Sequence, residues 1–195
     1  MTTFYNEPVQ HIFDHLCRLN KPKYLIGIDG PGGSGKSTLA QELANALPGS
    51  VVVHHDDFYK PKYLRDAVAR AGIGEYFDWQ RLERQVLQPC AENREIMYQK
   101  YDWINDVLDT WQTIPGATSV IVEGVYSIRR ELAGYYDLKI WLDCPADVCL
   151  VRGIIRDGEA MKEYWQNVWM KQEQEYYRQH QPQLRADIRI NIYHV

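Results

Sequence analysis

Gly30-Pro31-Gly32-Gly33-Ser34-Gly35-Lys36-Ser37 follows the pattern GxxxxGK[ST] and continues into Thr38. A loop that wraps phosphate must bring backbone N–H groups close to anionic oxygens. Glycine alone permits that approach and the positive φ angles it needs. The lysine supplies a cation for the β- and γ-phosphates, and the hydroxyl of Ser37 is a magnesium ligand. Gly30, Gly32, Gly33, Ser34, Gly35, Lys36, Ser37 and Thr38 are therefore expected to cradle the phosphates of ATP with Mg²⁺.

Three further groups could complete phosphoryl-transfer chemistry. Asp56 and Asp57 directly follow an apolar run. A carboxylate there could accept a proton from an attacking hydroxyl or hold a metal-bound water. Glu123 ends another apolar run and would neighbour the metal as the acidic partner of Ser37, although a carboxylate tied to a loop amide is an equal alternative. Arg152 and Arg156, four apart, share a helix face and could close over a triphosphate as a lid. Asp147 and Asp157 could instead pair with them as surface ion pairs. His54-His55-Asp56-Asp57 is not expected to hold one metal ion, because consecutive strand residues point to opposite faces.

These groups need a scaffold, and the apolar runs provide one. Residues 24–29, 51–55, 119–123, 138–142 and 188–192 are short and rich in Val, Ile and Leu, as strands buried on both faces of a parallel sheet are. Helical patterns lie between them at 38–47, 80–92 and 161–179, with another at 8–20. Strands alternating with helices imply an α/β, doubly wound, five-stranded parallel sheet with flanking helices: the P-loop NTPase fold. In such a sheet, ligands bind beyond the carboxyl ends of the strands, so Asp56 and Asp57 should both face the cleft. Residues 96–103 and 110–114 read as an inserted β-hairpin. One domain over 1–195, with 1–21 as a helical extension, is the expected organisation.

Composition narrows the partners. The formal net charge is −4, and without a basic block a nucleic-acid partner is not expected. The sequence contains no apolar run near the ~20 residues of a membrane helix and none of the layout of a signal peptide. Cys17, Cys90, Cys144 and Cys149 are scattered, and each is expected to be a buried small hydrophobe in a reducing, cytoplasmic setting. Trp165 and Trp169 are expected to be core. A homo-oligomer is compatible with these features.

With these residues in view, the chain resembles the uridine kinase-like family of P-loop kinases, which includes nicotinamide riboside kinases and, more distantly, phosphoribulokinase and pantothenate kinase. The resemblance rests on the glycine loop, His55-Asp56-Asp57-Phe58-Tyr59-Lys60-Pro61, Tyr76-Phe77-Asp78-Trp79, Tyr101-Asp102-Trp103, Val122-Glu123-Gly124, the Arg152–Asp157 segment and Ala186-Asp187-Ile188. It implies that Asp56 is the general base and Asp78 a ribose-hydroxyl ligand. It also places Tyr59 and Tyr101 at the substrate, with Asp57 beside them, and Arg152 and Arg156 in the lid. Two departures weigh against uridine and cytidine. Asp106 stands near the point where uridine kinases carry a pyrimidine-contacting histidine, and the lid continues Asp157-Gly158-Glu159-Ala160 in place of Arg-Gly-Arg-Asp.

The expected activity is ATP-dependent transfer of the γ-phosphate to a small hydroxylated metabolite, foremost the 5′-hydroxyl of a nucleoside. The alternatives are a non-nucleoside acceptor such as pantothenate or a sugar, and a nucleotide-binding regulator without transfer. ATP consumption with and without a panel of acceptors discriminates among them.

Overall fold

Five of the apolar runs pair into a single parallel sheet in the order β2-β5-β1-β6-β7. The strands are β1 (Leu25–Asp29), β2 (Val51–His54), β5 (Val120–Glu123), β6 (Leu138–Asp143) and β7 (Ile188–Asn191), with β3 and β4 placed apart from them. This computed structural model describes residues 6–66 and 72–192. Residues 1–5 of the expected N-terminal extension therefore lie outside the described residues, and its helix is α1 (Asn6–Leu19). Structure and sequence agree on the α/β, P-loop type of architecture.

The apolar runs sit where their composition directs them. β1 and β5 are buried along their whole length. Burial on both faces fails at the two sheet edges, where β2 and β7 have a covering neighbour on one side only and keep partly exposed residues. One face of the sheet packs Ile26, Ile28 and Ile140 against Ile12 and Leu16 of α1 and Leu39 and Leu43 of α2 (Lys36–Ala46). The other face carries Trp141 and Val122, with Tyr176 above them. Two helical patterns are less regular than expected. The run from Trp79 to Ala91 contains a π-helical stretch over Glu83–Leu87, and another over Trp165–Trp169 separates Lys162–Tyr164 from Met170–His180. Trp165 is buried, as expected, and Trp169 half-buried, whereas two cysteines depart from the buried reading: Cys17 lies exposed on α1 and Cys144 is half-buried. Among the described residues, no helix is long and apolar enough to cross a membrane.

The hairpin is a separate two-stranded sheet of β3 (Ile96–Asp102) and β4 (Val107–Ile114), antiparallel, with an irregularity between Gln99 and Tyr101. Arg81 holds it in place. Its guanidinium stacks on Phe58 at 4.7 Å, donates to the Asp57 carbonyl at 2.9 Å and also to the Gln99 carbonyl. Arg81 is only 6% exposed, so Arg81→Met would leave two inward carbonyls without their donor. An unsatisfied buried polar group costs about 1–3 kcal/mol. We therefore expect a loss of roughly 2–4 kcal/mol in urea unfolding, with the hairpin amides losing hydrogen-exchange protection first.

Candidate active site

β1 runs straight into the glycine loop, and α2 begins at its far end. Gly33 has φ of +77°, and a Cβ there would lie 2.5 Å from the carbonyl oxygen of Cys149. Neither that backbone angle nor that contact tolerates a side chain. Gly35, also left-handed at φ 95°, caps α2 without a side-chain hydrogen bond. The first N–H groups of α2 therefore point into the loop unspent, a ready anion site. Lys36 is 6% exposed and donates its ammonium to the Pro31 carbonyl at 2.8 Å, arching over the loop.

A buried carboxylate that sequence reasoning missed fixes the start of this loop. Asp29, the last residue of β1, accepts from the Gly30 N–H at 2.7 Å, the Tyr126 N–H at 3.1 Å, the Ile128 N–H at 3.0 Å and the Tyr176 hydroxyl at 2.7 Å. Burial pushes its carboxyl up to about 6 in spite of these donors. A raised carboxyl pKa stabilises the fold fully below the unfolded value, and that contribution is lost as pH rises through the folded value. Relative to Asp29→Asn, the wild-type chain should thus lose about 2 kcal/mol between pH 4.5 and 7. Urea melts of both proteins at the two pH values check this.

Beyond the ends of β1, β2 and β5, three side chains meet. The Ser37 hydroxyl donates to Glu123 Oε1 at 3.1 Å, and His54 Nδ1 lies 2.5 Å from the same oxygen. Burial alone would raise the Glu123 carboxyl, but the His54 hydrogen bond and the charges of Lys36 and His54 outweigh it and hold it below the ordinary carboxylate range. His54 is correspondingly raised, chiefly by that hydrogen bond. Ser37 and Glu123 present hard oxygen donors at the mouth of the loop, the chemistry a Mg²⁺ ion takes alongside water and phosphate oxygens. His55 goes elsewhere: it is buried, stacked on Phe77 at 4.9 Å, and held to the Val125 carbonyl at 2.7 Å. Burial pushes it down to about 4, so it is neutral.

β2 ends at His54, and Asp56 and Asp57 both lie on the 3₁₀ turn His55–Phe58. Asp56 stands in the field of Lys36, Glu123 and Arg156. Desolvation by the cleft walls and the Glu123 charge raise its carboxyl, while Lys36 and Arg156 pull the other way. Asp57 turns to the hairpin and lies 3.3 Å from the Lys100 ammonium. Asp78 serves as a helix cap, with Oδ1 accepting from the Arg81 N–H at 2.9 Å.

An aromatic cluster borders the cleft. Tyr59 stacks on Trp103 at 4.6 Å, and the rings of Phe77 and Tyr101 stand 5.1 and 5.5 Å away. The Arg65 guanidinium lies over Tyr59 at 4.8 Å. The Tyr101 hydroxyl donates to Asp106 Oδ1 at 2.5 Å, and Asp106 also accepts from the Lys62 N–H at 3.0 Å.

Arg152 and Arg156 lie on the Ala146–Asp157 helix, as their spacing requires, but they are engaged differently. Arg152 reaches the phosphate loop, with Nη1 3.4 Å from the Gly33 carbonyl. Arg156 forks onto Asp157 at 2.7 and 3.0 Å, so the ion-pair alternative holds for this arginine, while its charge still acts on Asp56 and Glu123. Asp147 is not its partner; Oδ1 of Asp147 accepts from the Val148 N–H. Sequence reasoning also missed Glu173, whose Oε1 accepts from the Gly32 N–H at 3.1 Å.

Sheet order, phosphate loop and acidic residues at the strand ends are those of the P-loop kinase fold. The sequence profile of the phosphoribulokinase/uridine kinase family matches residues 25–191, and the chain belongs to that family. It is 35% identical over 145 residues to the uridine kinase of Saccharomyces cerevisiae, an alignment covering 69% of this chain and 29% of the yeast protein. It is 31% identical over 157 residues to the uridine kinase of Ureaplasma parvum serovar 3, covering 76% of this chain and 75% of that one. This chain thus spans under a third of the yeast relative's length. Among solved structures, a possible uridine kinase from Bacillus stearothermophilus shares the fold, with a TM-score of 0.71 at 24% identity over 94% of this chain and 99% of that one.

Proposed function

We propose that the chain transfers the γ-phosphate of ATP, with Mg²⁺, to the 5′-hydroxyl of a nucleoside. The observation that carries this reading is the surroundings of Asp56. It lies in the field of Lys36, Glu123 and Arg156, on the turn that leads to Tyr59, whose ring packs with Tyr101 and Trp103. The phosphates rest on the loop N–H groups and Lys36, while the aromatic rings hold the acceptor's flat part. Asp56 takes the proton from the acceptor hydroxyl as its oxygen bonds to the γ-phosphorus, and the bond from that phosphorus to the bridging oxygen of ADP breaks. Ser37 and Glu123 would hold Mg²⁺, which supplies charge neutralisation at the phosphates. Arg152 and Arg156 offset charge on the transferring group. The raised carboxyl of Asp56 is suited to this task, since a base works best when its pKa approaches the working pH.

The test is a thermal-shift screen of nucleosides, vitamin precursors and sugars in the presence of a non-hydrolysable ATP analogue, followed by ATP consumption with each hit. At a hundredfold excess over its Kd, a ligand of the native state adds about 2.7 kcal/mol. If no nucleoside shifts the transition and none is phosphorylated, the nucleoside reading fails. A second reading, a non-nucleoside hydroxyl such as pantothenate or a sugar, draws on Asp106. Its oxygens are taken by Tyr101 and the Lys62 N–H, with Arg65 at 3.5 Å, so they secure the rim of the cleft.

The arginine pair yields a further expected result. Arg152→Ala and Arg156→Ala should each lower kcat more than they raise the KM for ATP, because contacts to the transferring group strengthen in the transition state. Arg156 has to leave Asp157 to make that contact, so its variant should show the purer kcat effect. Unchanged kcat in both variants would leave the helix with no part in transfer.

A further inference from the structure

A cavity of about 540 Å³ lies behind the phosphate loop, on the sheet face that carries Trp141 and Tyr176. Its size falls in the range of about 300–1,000 Å³ typical of ligand pockets. It touches the loop only at Gly30 and Pro31, and none of Lys36, Ser37, Asp56, Tyr59, Glu123, Arg152 or Arg156 lines it. The Ala146–Asp157 and Met170–His180 helices form its sides. Trp141 and Tyr177, 5.9 Å apart and inclined by 48°, give it two aromatic walls.

The charged groups lining it are not equivalent. Asp143 is committed to the Trp141 Nε1–H at 2.7 Å and to Arg189. Lys171 turns to the Asn167 side-chain oxygen at 3.2 Å. Glu173 spends one oxygen on the Gly32 N–H at 3.1 Å, and among the described residues its Oε2 has no hydrogen-bond partner. The Glu173 carboxyl thus stands at the junction of the cavity and the loop, where burial pushes it up to about 7 while the Lys36 charge pulls the other way. In its ionised form it faces a triphosphate on the loop from the far side.

We propose that this cavity is a second ligand site for a small flat cation, an aryl amidine or protonated amino-heterocycle, whose occupancy tightens nucleotide binding by neutralising Glu173. Trp141 and Tyr177 would hold the ring, since aromatic faces attract cations. The positive edge would meet Glu173, which remains bonded to Gly32. Because coupling is reciprocal, the nucleotide must tighten the cation's binding by the same factor.

Isothermal titration of the full chain at about pH 8, where Glu173 is ionised, with benzamidine, a non-hydrolysable ATP analogue and each in the presence of the other tests this without any acceptor. Benzamidine should bind, and at saturation it should lower the Kd of the nucleotide analogue about fivefold, within the usual range of coupling. Benzyl alcohol, of similar shape and uncharged, should not. Glu173→Gln should bind the nucleotide as tightly as benzamidine-loaded wild type and lose the response. Ala146→Trp, at the rim of the cavity, should abolish benzamidine binding and keep the wild-type nucleotide Kd. Absence of benzamidine binding, competition between the two ligands, or a response surviving in Ala146→Trp would each overturn the proposal.

Discussion

Asp56→Asn should cut phosphoryl transfer by about 10²–10⁴ while nucleotide binding persists. Asn keeps the shape and one acceptor oxygen, so the loss reports on the proton-accepting charge. The site also predicts a secondary gain. Asp56 stands in the field of Glu123, and both carboxylates oppose incoming phosphates. Removing one should leave the affinity for a non-hydrolysable ATP analogue equal to or better than wild type. Asp57→Asn should be the milder change, because Asp57 faces Lys100 and not the loop. Single-turnover rates and equilibrium binding for both variants separate the two effects. A larger rate loss in Asp57→Asn would reassign the base.

Lys36→Ala should have the other large effect, a loss of about 10²–10³ in rate, of the order seen when a preorganised donor to developing charge is removed. The ammonium's partner within the protein is the Pro31 carbonyl of the phosphate loop itself, outside the apolar core. The fold should therefore tolerate the change, with a shift in urea stability within about 1 kcal/mol. Near-wild-type turnover in this variant would remove the basis for phosphoryl transfer at the loop. Lys36→Arg should not rescue it, because a planar fork cannot replace a compact ammonium inside a closed loop.

The features legible in the sequence were those that depend on neighbours along the chain. The glycine loop announces itself because its N–H groups, lysine and hydroxyl are contiguous, and the strands because burial selects Val, Ile and Leu. Asp56 was legible as a strand-end carboxylate. The pairing of Asp57 with Lys100 was not, since it reaches from the 3₁₀ turn after His54 to a distant strand. The least legible residues act across the fold. Glu173 meets Gly32 over a separation of 141 residues, and Tyr176 meets Asp29 over 147. No local pattern reveals such pairs. The π-helical stretch at Trp165–Trp169 was hidden for a related reason. It inserts one residue into the helix, which turns everything after it, including Glu173, by about 100° from where a regular α-helix would put it.

The two sheets of this molecule divide its labour. Every strand-end group proposed to act at the phosphates belongs to the five-stranded sheet: the loop after β1, the turn after β2 and Glu123 of β5. The rings proposed to border the acceptor come from outside it, with Tyr101 on β3, Trp103 in the turn that follows and Tyr59 beyond the 3₁₀ turn. The hairpin is bonded into a sheet of its own, so its residues can change without altering the register of the catalytic strands. Exchanging this segment between relatives would then be a graft of taste onto an unaltered engine. Selection could redirect such a protein to a new alcohol by editing one antiparallel ribbon.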